Sequence, residues 1–277
     1  MILVIGDIMI DDYVYGEINR ISPEAPVPVF SHNCNTPLLG GAGNVFKNIY
    51  NLDLAVKIIS VCGNDKLGTD IENLLKEKYP KSDNILFRCS KRLTTLKRRF
   101  ISNNKQILRY DSETTDSISI ELENKIVNEF DKLKNKFSAV IISDYAKGVI
   151  TYGLVEKIID ICNIKSIPVM VDPKGNDFMK YKNSFLVKPN KIELEKMTKI
   201  NIKDKNSLLR ASKLMLIESN LKMLVVTLSE NGILFMNKKK YFIMSTIESD
   251  VFDVSGAGDT VMSMLSYCIT RSFEPLK

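Results

Sequence analysis

Residues 139–175 read AVIISDYAKGVITYGLVEKIIDICNIKSIPVMVDPKG: two short apolar runs, 139–143 and 167–171, flank a segment with helical spacing near 152–163. Runs this short, continuously apolar and rich in β-branched residues suit strands buried on both faces. A helix between two such strands carries the chain back so that they lie parallel. Working outward, similar runs recur at 2–6 (ILVIG), 55–61 (AVKIISV), 184–188 (SFLVK) and 223–227 (MLVVT). Helical spacing recurs near 42–52, 67–78, 120–135, 205–220 and 258–270. The fold class expected is α/β: a doubly wound, mostly parallel sheet with helices on both faces.

The 277 residues are 44% hydrophobic and 26% charged, the balance of a globular chain rather than a disordered one. The formal charge of +6 favours anionic partners, phosphorylated small molecules ahead of nucleic acid. A basic run at 91–99 has only Phe100 beside it, too little aromatic surface for a single-strand nucleic-acid platform. Cys34, Cys62, Cys89, Cys162 and Cys268 are odd in number and form no CxxC pair, so neither a disulfide framework nor a zinc site is indicated and a cytoplasmic location is expected. The apolar opening is broken by Asp7, Asp11 and Asp12 and reads as a buried strand, and no later run is long enough to span a membrane.

Two stretches depart from the strand–helix rhythm. Residues 13–30 carry three prolines, and 85–111 alternates like strands around Asn103-Asn104. Proline belongs on edge strands, and two polar residues between extended runs read as a hairpin turn. Both stretches are expected to form a small β-sheet lid projecting from the α/β body.

In open α/β sheets ligands bind beyond the carboxyl ends of the strands. Polar residues gather there: Gly6-Asp7 after the first strand, Asp144-Tyr145-Ala146-Lys147-Gly148 after 139–143, Asp172-Pro173-Lys174-Gly175 after 167–171, Pro189-Asn190 after 184–188, and Thr227 with Ser229 at the end of 223–227. Near the end of the chain, DVSGAGDT (253–260) sets two glycines and an acid where a helix begins. Glycines that expose successive N–H groups, at the positive end of a helix, suit a phosphate or a developing phosphoryl charge. Asp259 reads equally as a simple partner of the helix dipole. Asn190 with Glu193 three residues on reads equally as a capping box.

Gly40-Gly41-Ala42-Gly43-Asn44, GNDKLG (63–68), KPNKIELE (188–195), VTLSENG (226–232) and DVSGAGDT, in that order, resemble the ribokinase-like family of carbohydrate kinases over nearly the whole chain. The resemblance implies one kinase domain over 1–277, with ATP and Mg2+ as cofactors. It implies that Asp259 accepts the proton of the attacking sugar hydroxyl, and that the amides of Gly256, Ala257 and Gly258 hold the transferred phosphoryl group. Asn190 and Glu193 are expected to hold Mg-nucleotide, Glu193 through water, and Thr227, Ser229 and Gly232 to contact ATP. Ser229 stands where many relatives have glycine. Asp7, Asp11, Gly40, Gly41, Asn44 and Asp144 are expected at the sugar. Lys97, Arg99 and Arg109, with Lys147 and Lys174, are expected at a substrate phosphate, and alternation sends Arg98 to the opposite face.

Within the family, GDIMIDDYVYGEINRISPEAPVPVF, SDYAKGV, VDPKGNDF and TTLKRRFISNNKQILRYD resemble heptose 7-phosphate kinases. That implies phosphorylation of the anomeric hydroxyl of D-glycero-D-manno-heptose 7-phosphate, in the synthesis of lipopolysaccharide core precursors, and a homodimer through the lid strands. Another ribokinase-like kinase, acting on fructose phosphate or an unphosphorylated sugar, and a non-catalytic sugar-phosphate-binding fragment are the alternatives. Relatives ordinarily continue for several helices after the glycine-rich one and heptose kinases are often fused to an adenylyltransferase, whereas this chain stops at RSFEPLK. An incomplete carboxyl end is expected.

Overall fold

The computed structural model describes residues 1–246 and 256–271. Its larger sheet has nine strands. In chain order they are β1 (Ile2–Gly6), β4 (Val56–Gly63), β5 (Ile85–Cys89), β8 (Ala139–Ser143), β9 (Val169–Asp172), β10 (Leu186–Val187), β11 (Met223–Thr227), β12 (Ile233–Asn237) and β13 (Tyr241–Met244). The smaller sheet takes β2 (Ile8–Ile21), β3 (Pro28–Gly41), β6 (Thr95–Ser102) and β7 (Lys105–Ser112). The helices are α1 (Ala42–Asn51), α2 (Lys66–Lys78), α3 (Ile120–Leu133), α4 (Tyr152–Ile164), α5 (Lys191–Thr198), α6 (Lys205–Glu218) and α7 (Ala257–Thr270).

The large sheet runs β13-β12-β11-β10-β9-β8-β1-β4-β5, parallel from β11 to β5, with β12 and β13 added antiparallel at one edge. Its alternating side chains feed two cores, as the two-residue period of a strand requires. Leu3, Ile5, Val140 and Ile142 pack on one face with Ile126 and Phe130 of α3, Leu154 and Ile158 of α4, and Met215 of α6. Ile2, Val4, Ala139 and Ile141 pack on the other with Phe46 and Ile49 of α1, Ile71 and Leu75 of α2, and Met262 of α7. The polar loops after β1, β8, β9, β10 and β11 therefore open on one rim.

The strand–helix alternation expected from 139–175 is present, but β10 is only two residues long, because Lys188 and Pro189 end it. Helix α5 follows the capping-box reading of Asn190 and Glu193, whereas strands β12 and β13 have no counterpart among the expected runs. The expected lid segments 13–30 and 85–111 have different limits. Strand β2 leaves β1 after the single residue Asp7, and its partner β3 runs on to Gly41, so the small sheet reaches directly into the body. Ile85–Cys89 closes the edge of the large sheet beside β4, and only β6 and β7 join the lid. The lid order is β3-β2-β6-β7. Asn103 and Asn104, both with positive φ (50° and 59°), make the tight turn between β6 and β7 that their sequence suggests.

Candidate active site

Five segments meet at a cavity of about 220 Å3 on that rim, lined by Asp144 and Tyr145, Asp172 to Lys174, Lys188, Asn190, Glu193 and Thr227, and Gly256, Gly258 and Asp259. Asp259 lies in the first turn of α7, whose N-cap, Gly256, takes a left-handed conformation (φ 78°) and offers no capping side chain. A Cβ on Gly256 would crowd Asn44 Nδ2 at 2.7 Å, so glycine here answers both a backbone and a space requirement. The first-turn N–H groups of α7 have no partners within the helix. Residues 253–255 of the motif lie outside the described residues.

Asp259 is 5% exposed. Asn44 Nδ2 of α1 donates to its Oδ2 at 2.6 Å, and the Tyr145 hydroxyl donates to its Oδ1 at 2.6 Å. Burial raises its proton affinity above the usual carboxylate range, while the two hydrogen bonds and Lys188 pull the other way. Tyr145 stays protonated because its burial and the Asp259 charge push its own pKa far up. Asn44, expected at the sugar, is instead aimed at the acid.

Lys188, 3% exposed, pairs with Asp172 at 2.9 Å. Burial pushes Asp172 up to about 6, against the pull of Lys188. A Cβ on Gly258 would sit 3.2 Å from Lys188 Nζ, so the absence of a side chain lets an ammonium approach the positive end of α7. A helix N-terminus and a buried ammonium suit the oxygens of an anion such as a polyphosphate, and the Asp259 carboxylate lines the same cavity. Tyr145 and Asp172 lie in the polar strand-end segments expected at the crevice but carry no expected role there, and Lys188 is not among the expected site residues. A charged residue ending an otherwise apolar strand, as in SFLVK, is the signal that marks Lys188.

Asn190 caps α5 and forms the capping box with Glu193: Asn190 Oδ1 accepts from the Glu193 N–H at 2.8 Å and Glu193 Oε2 from the Asn190 N–H at 2.9 Å. Glu193 Oε1 takes Lys174 Nζ at 2.7 Å. Both residues nevertheless line the cavity, so cap and site coincide. Among the described residues no group of three or more potential ligands converges on one point. Hard carboxylate oxygens on the wall, already engaged by donors, fit a magnesium ion that keeps waters and arrives on phosphate oxygens, rather than one held in a protein cage.

On the lid, Asp11 of β2 and Arg99 of β6 form an ion pair at 2.6 Å, and Arg99 lies over the Tyr13 ring. A Cβ on Gly40 would collide with the Asp11 carboxylate, and one on Gly41 (φ 57°) with the Asp7 carbonyl. Lys97 is on the same face as Asp11 and sits over the Tyr145 ring at 5.4 Å; burial lowers its pKa. Arg98 is on the opposite face, bound to Asp12 at 2.7 Å, as alternation requires.

Several expected site residues are placed differently. Asp7, 1% exposed, spends both oxygens on the loop after β8: Oδ2 accepts from the N–H of Tyr145 and Lys147, Oδ1 from that of Val149. It tethers the loop that carries Tyr145 and has no oxygen directed to a sugar. The Asp144 carboxylate is likewise filled, by Lys180, the Tyr181 hydroxyl and the Ala146 N–H. Lys147 pairs with Glu113 at 2.6 Å and Arg109 with Asp111 at 3.0 Å. Thr227 lines the cavity, but Ser229 (φ 53°) and Gly232 (φ 93°) shape the turn between β11 and β12 and do not. Ala257 is exposed on the first turn of α7.

The chain belongs to the pfkB family of carbohydrate kinases, whose pattern it matches over residues 1–276. Among curated relatives it is 42% identical over 268 residues to the bifunctional protein HldE of Aliarcobacter butzleri, and 43% identical over 270 residues to that of Sulfurimonas denitrificans. Each alignment covers 97% of this chain but 56% of the relative, so the chain spans little more than half the length of these proteins. Among solved structures, Escherichia coli phosphofructokinase-2 in complex with fructose-6-phosphate matches with a TM-score of 0.78 at 17% identity, covering 99% of this chain and 88% of the other. Arabidopsis thaliana ribokinase complexed with ribose and ATP matches at 0.74 and 16%, covering 99% and 86%. The fold is therefore ribokinase-like. No helix among the described residues is long and apolar enough to cross a membrane.

Asp7→Asn replaces an acceptor oxygen with a donor group and leaves at least one buried N–H of the 145–149 loop unpaired. The expected result is a loss of about 1–3 kcal/mol in stability, read from denaturant unfolding.

Proposed function

We propose that this site transfers the γ-phosphoryl group of ATP to the anomeric hydroxyl of D-glycero-D-manno-heptose 7-phosphate. The observation that carries the reading is the buried Asp259 carboxylate, held by two donors on the cavity wall beside the uncapped start of α7. The substrate class is supported by the lid cations Lys97 and Arg99 on the face shared with Asp11, and by the similarity to HldE proteins.

In this reading the anomeric oxygen attacks the γ-phosphorus, the bond to the bridging oxygen breaks, ADP leaves, and the hydroxyl proton passes to a free lone pair of the Asp259 carboxylate. An acid whose proton affinity is raised by burial is a stronger base once ionised, and the hydroxyl becomes acidic as its bond to phosphorus forms. The amides of Gly256, Ala257 and Gly258 face the charge that develops on the transferred group, and Lys188 adds a fixed positive charge. Glu193 would hold a nucleotide-bound Mg2+ through water, and the ion would neutralise part of the phosphate charge. Lys97 and Arg99 hold the substrate's own phosphate, which requires Arg99 to share or exchange its bond to Asp11.

We also propose that two copies pair through their lids, because β7 exposes Ile107, Leu108 and Tyr110 along an edge strand. Sedimentation velocity on the wild-type chain and Leu108→Asp checks this: the expected result is a dimer that the aspartate splits, and a monomeric wild type contradicts it.

Mixing the protein with Mg-ATP and a panel of sugars and sugar phosphates, with ADP release as readout and phosphorus NMR of the product, tests the reaction. Heptose 7-phosphate is expected to give the 1,7-bisphosphate. Turnover confined to other sugars contradicts the substrate assignment. Asp259→Asn keeps the shape of the helix start but removes the base, and is expected to lower kcat by about 10²–10⁴-fold with binding nearly intact.

A further inference from the structure

Tyr145 touches both the base and the lid. Its backbone N–H is fixed by Asp7 at 2.8 Å, and the next residue, Ala146, holds a left-handed conformation (φ 54°) closed by its N–H on Asp144 Oδ1 at 2.7 Å. The loop is thus pinned on both sides of the tyrosine, and the ring points into the cavity. At its far end the hydroxyl donates to Asp259 Oδ1 at 2.6 Å; on its face lies Lys97 Nζ, 5.4 Å from the ring centre.

We propose that Tyr145 is a positioning residue of the phosphoryl-transfer site, its hydroxyl orienting the Asp259 carboxylate and its ring seating the Lys97 ammonium of the lid. The inference rests on the reading of Asp259 as the base and Lys97 as a phosphate contact, and deepens it. A carboxylate held by Asn44 on Oδ2 alone can rotate about its bond to Cβ. A second donor on Oδ1 fixes its plane and leaves one lone pair on each oxygen for an incoming proton. The same hydrogen bond favours the ionised form of Asp259 against burial and against the neighbouring Asp172 and Asp11 charges, a part it shares with Lys188. The ring face attracts a cation without neutralising it, so Lys97 remains free to bind an anion, whereas a carboxylate in that position would compete with the phosphate.

The two contacts come apart under substitution. Tyr145→Phe removes the hydroxyl and keeps the ring; Tyr145→Leu removes both. In Tyr145→Phe, kcat is expected to fall about ten- to a hundredfold at neutral pH, as for loss of a hydrogen bond to a charged group, with the sugar-phosphate KM within about twofold of wild type. The acid limb of its kcat–pH profile is expected to move to higher pH, because the base has lost a donor that favours its ionised form. In Tyr145→Leu the sugar-phosphate KM is expected to rise as well. Carbon-13 NMR of protein labelled at aspartate carboxyl carbons, with the Asp259 signal assigned by its loss in Asp259→Asn, follows the titration without turnover. That signal is expected to titrate at higher pH in Tyr145→Phe than in wild type, both proteins being folded by thermal melting. An unshifted Asp259 titration in Tyr145→Phe overturns the proposed part of the hydroxyl, and an equal sugar-phosphate KM in the two variants overturns that of the ring. A wild-type chain that phosphorylates no sugar defeats the kinase reading instead, and the titration still decides the hydroxyl's part.

Discussion

A carboxylate taken out of water needs donors, and the arrangement around Asp259 is the set of segments that supply them. Asn44 comes from 215 residues upstream and Tyr145 from 114 residues upstream, and each reaches one oxygen at 2.6 Å. That requirement ties together the start of α1, the loop after β8 and the start of α7. It explains why both helices begin on glycines in left-handed or strained backbone, since a side chain at Gly41 or Gly256 would strike the Asp7 carbonyl or Asn44. The parallel sheet contributes the loop after β8, and the end of β3 in the small sheet brings the start of α1 to the same place.

Several charges around the cavity are paired, while the buried Asp259 carboxylate relies on two neutral donors. Lys188 stands with Asp172, Lys174 with Glu193, and Asp144 with Lys180. A lone buried charge costs several kcal/mol, and a pair with good geometry offsets much of that cost. Asp7 shows the other solution, a buried acid satisfied by three backbone N–H groups. It has no catalytic partner, yet it fixes the loop that presents Tyr145 to Asp259 and to the lid's Lys97.

Much of the body was legible in the sequence because its strands are short, apolar and separated by helices of ordinary spacing; β1, β8 and β11 match the runs that announce them residue for residue. The limits of the lid were not. Ile8, Met9 and Ile10 look like a continuation of the first strand, and only the break at Asp7 sends them into another sheet. Asn190 and Glu193 were readable as a cap or as a nucleotide site, and the structure shows the cap on the cavity wall. Lys188 and Asp172 stand at strand ends, a local signal of position, but their pairing with each other and the bond from Tyr145 to Asp259 join residues distant in sequence, which no local pattern encodes. Asp7 and Asp144 carried the right residue type at the right end of a strand, and only their hydrogen bonds show that their oxygens are already taken.

The central claim is that the carboxylate held by Asn44 and Tyr145 faces the attacking hydroxyl. A crystal structure of the protein with ADP, magnesium, aluminium fluoride and heptose 7-phosphate tests it most directly. The account predicts the anomeric oxygen within hydrogen-bond distance of Asp259, the planar fluoride group against the first-turn amides of α7, and the 7-phosphate on Lys97 and Arg99. A sugar whose hydroxyl lies against another residue, with Asp259 still closed on its two donors and away from the fluoride, contradicts it.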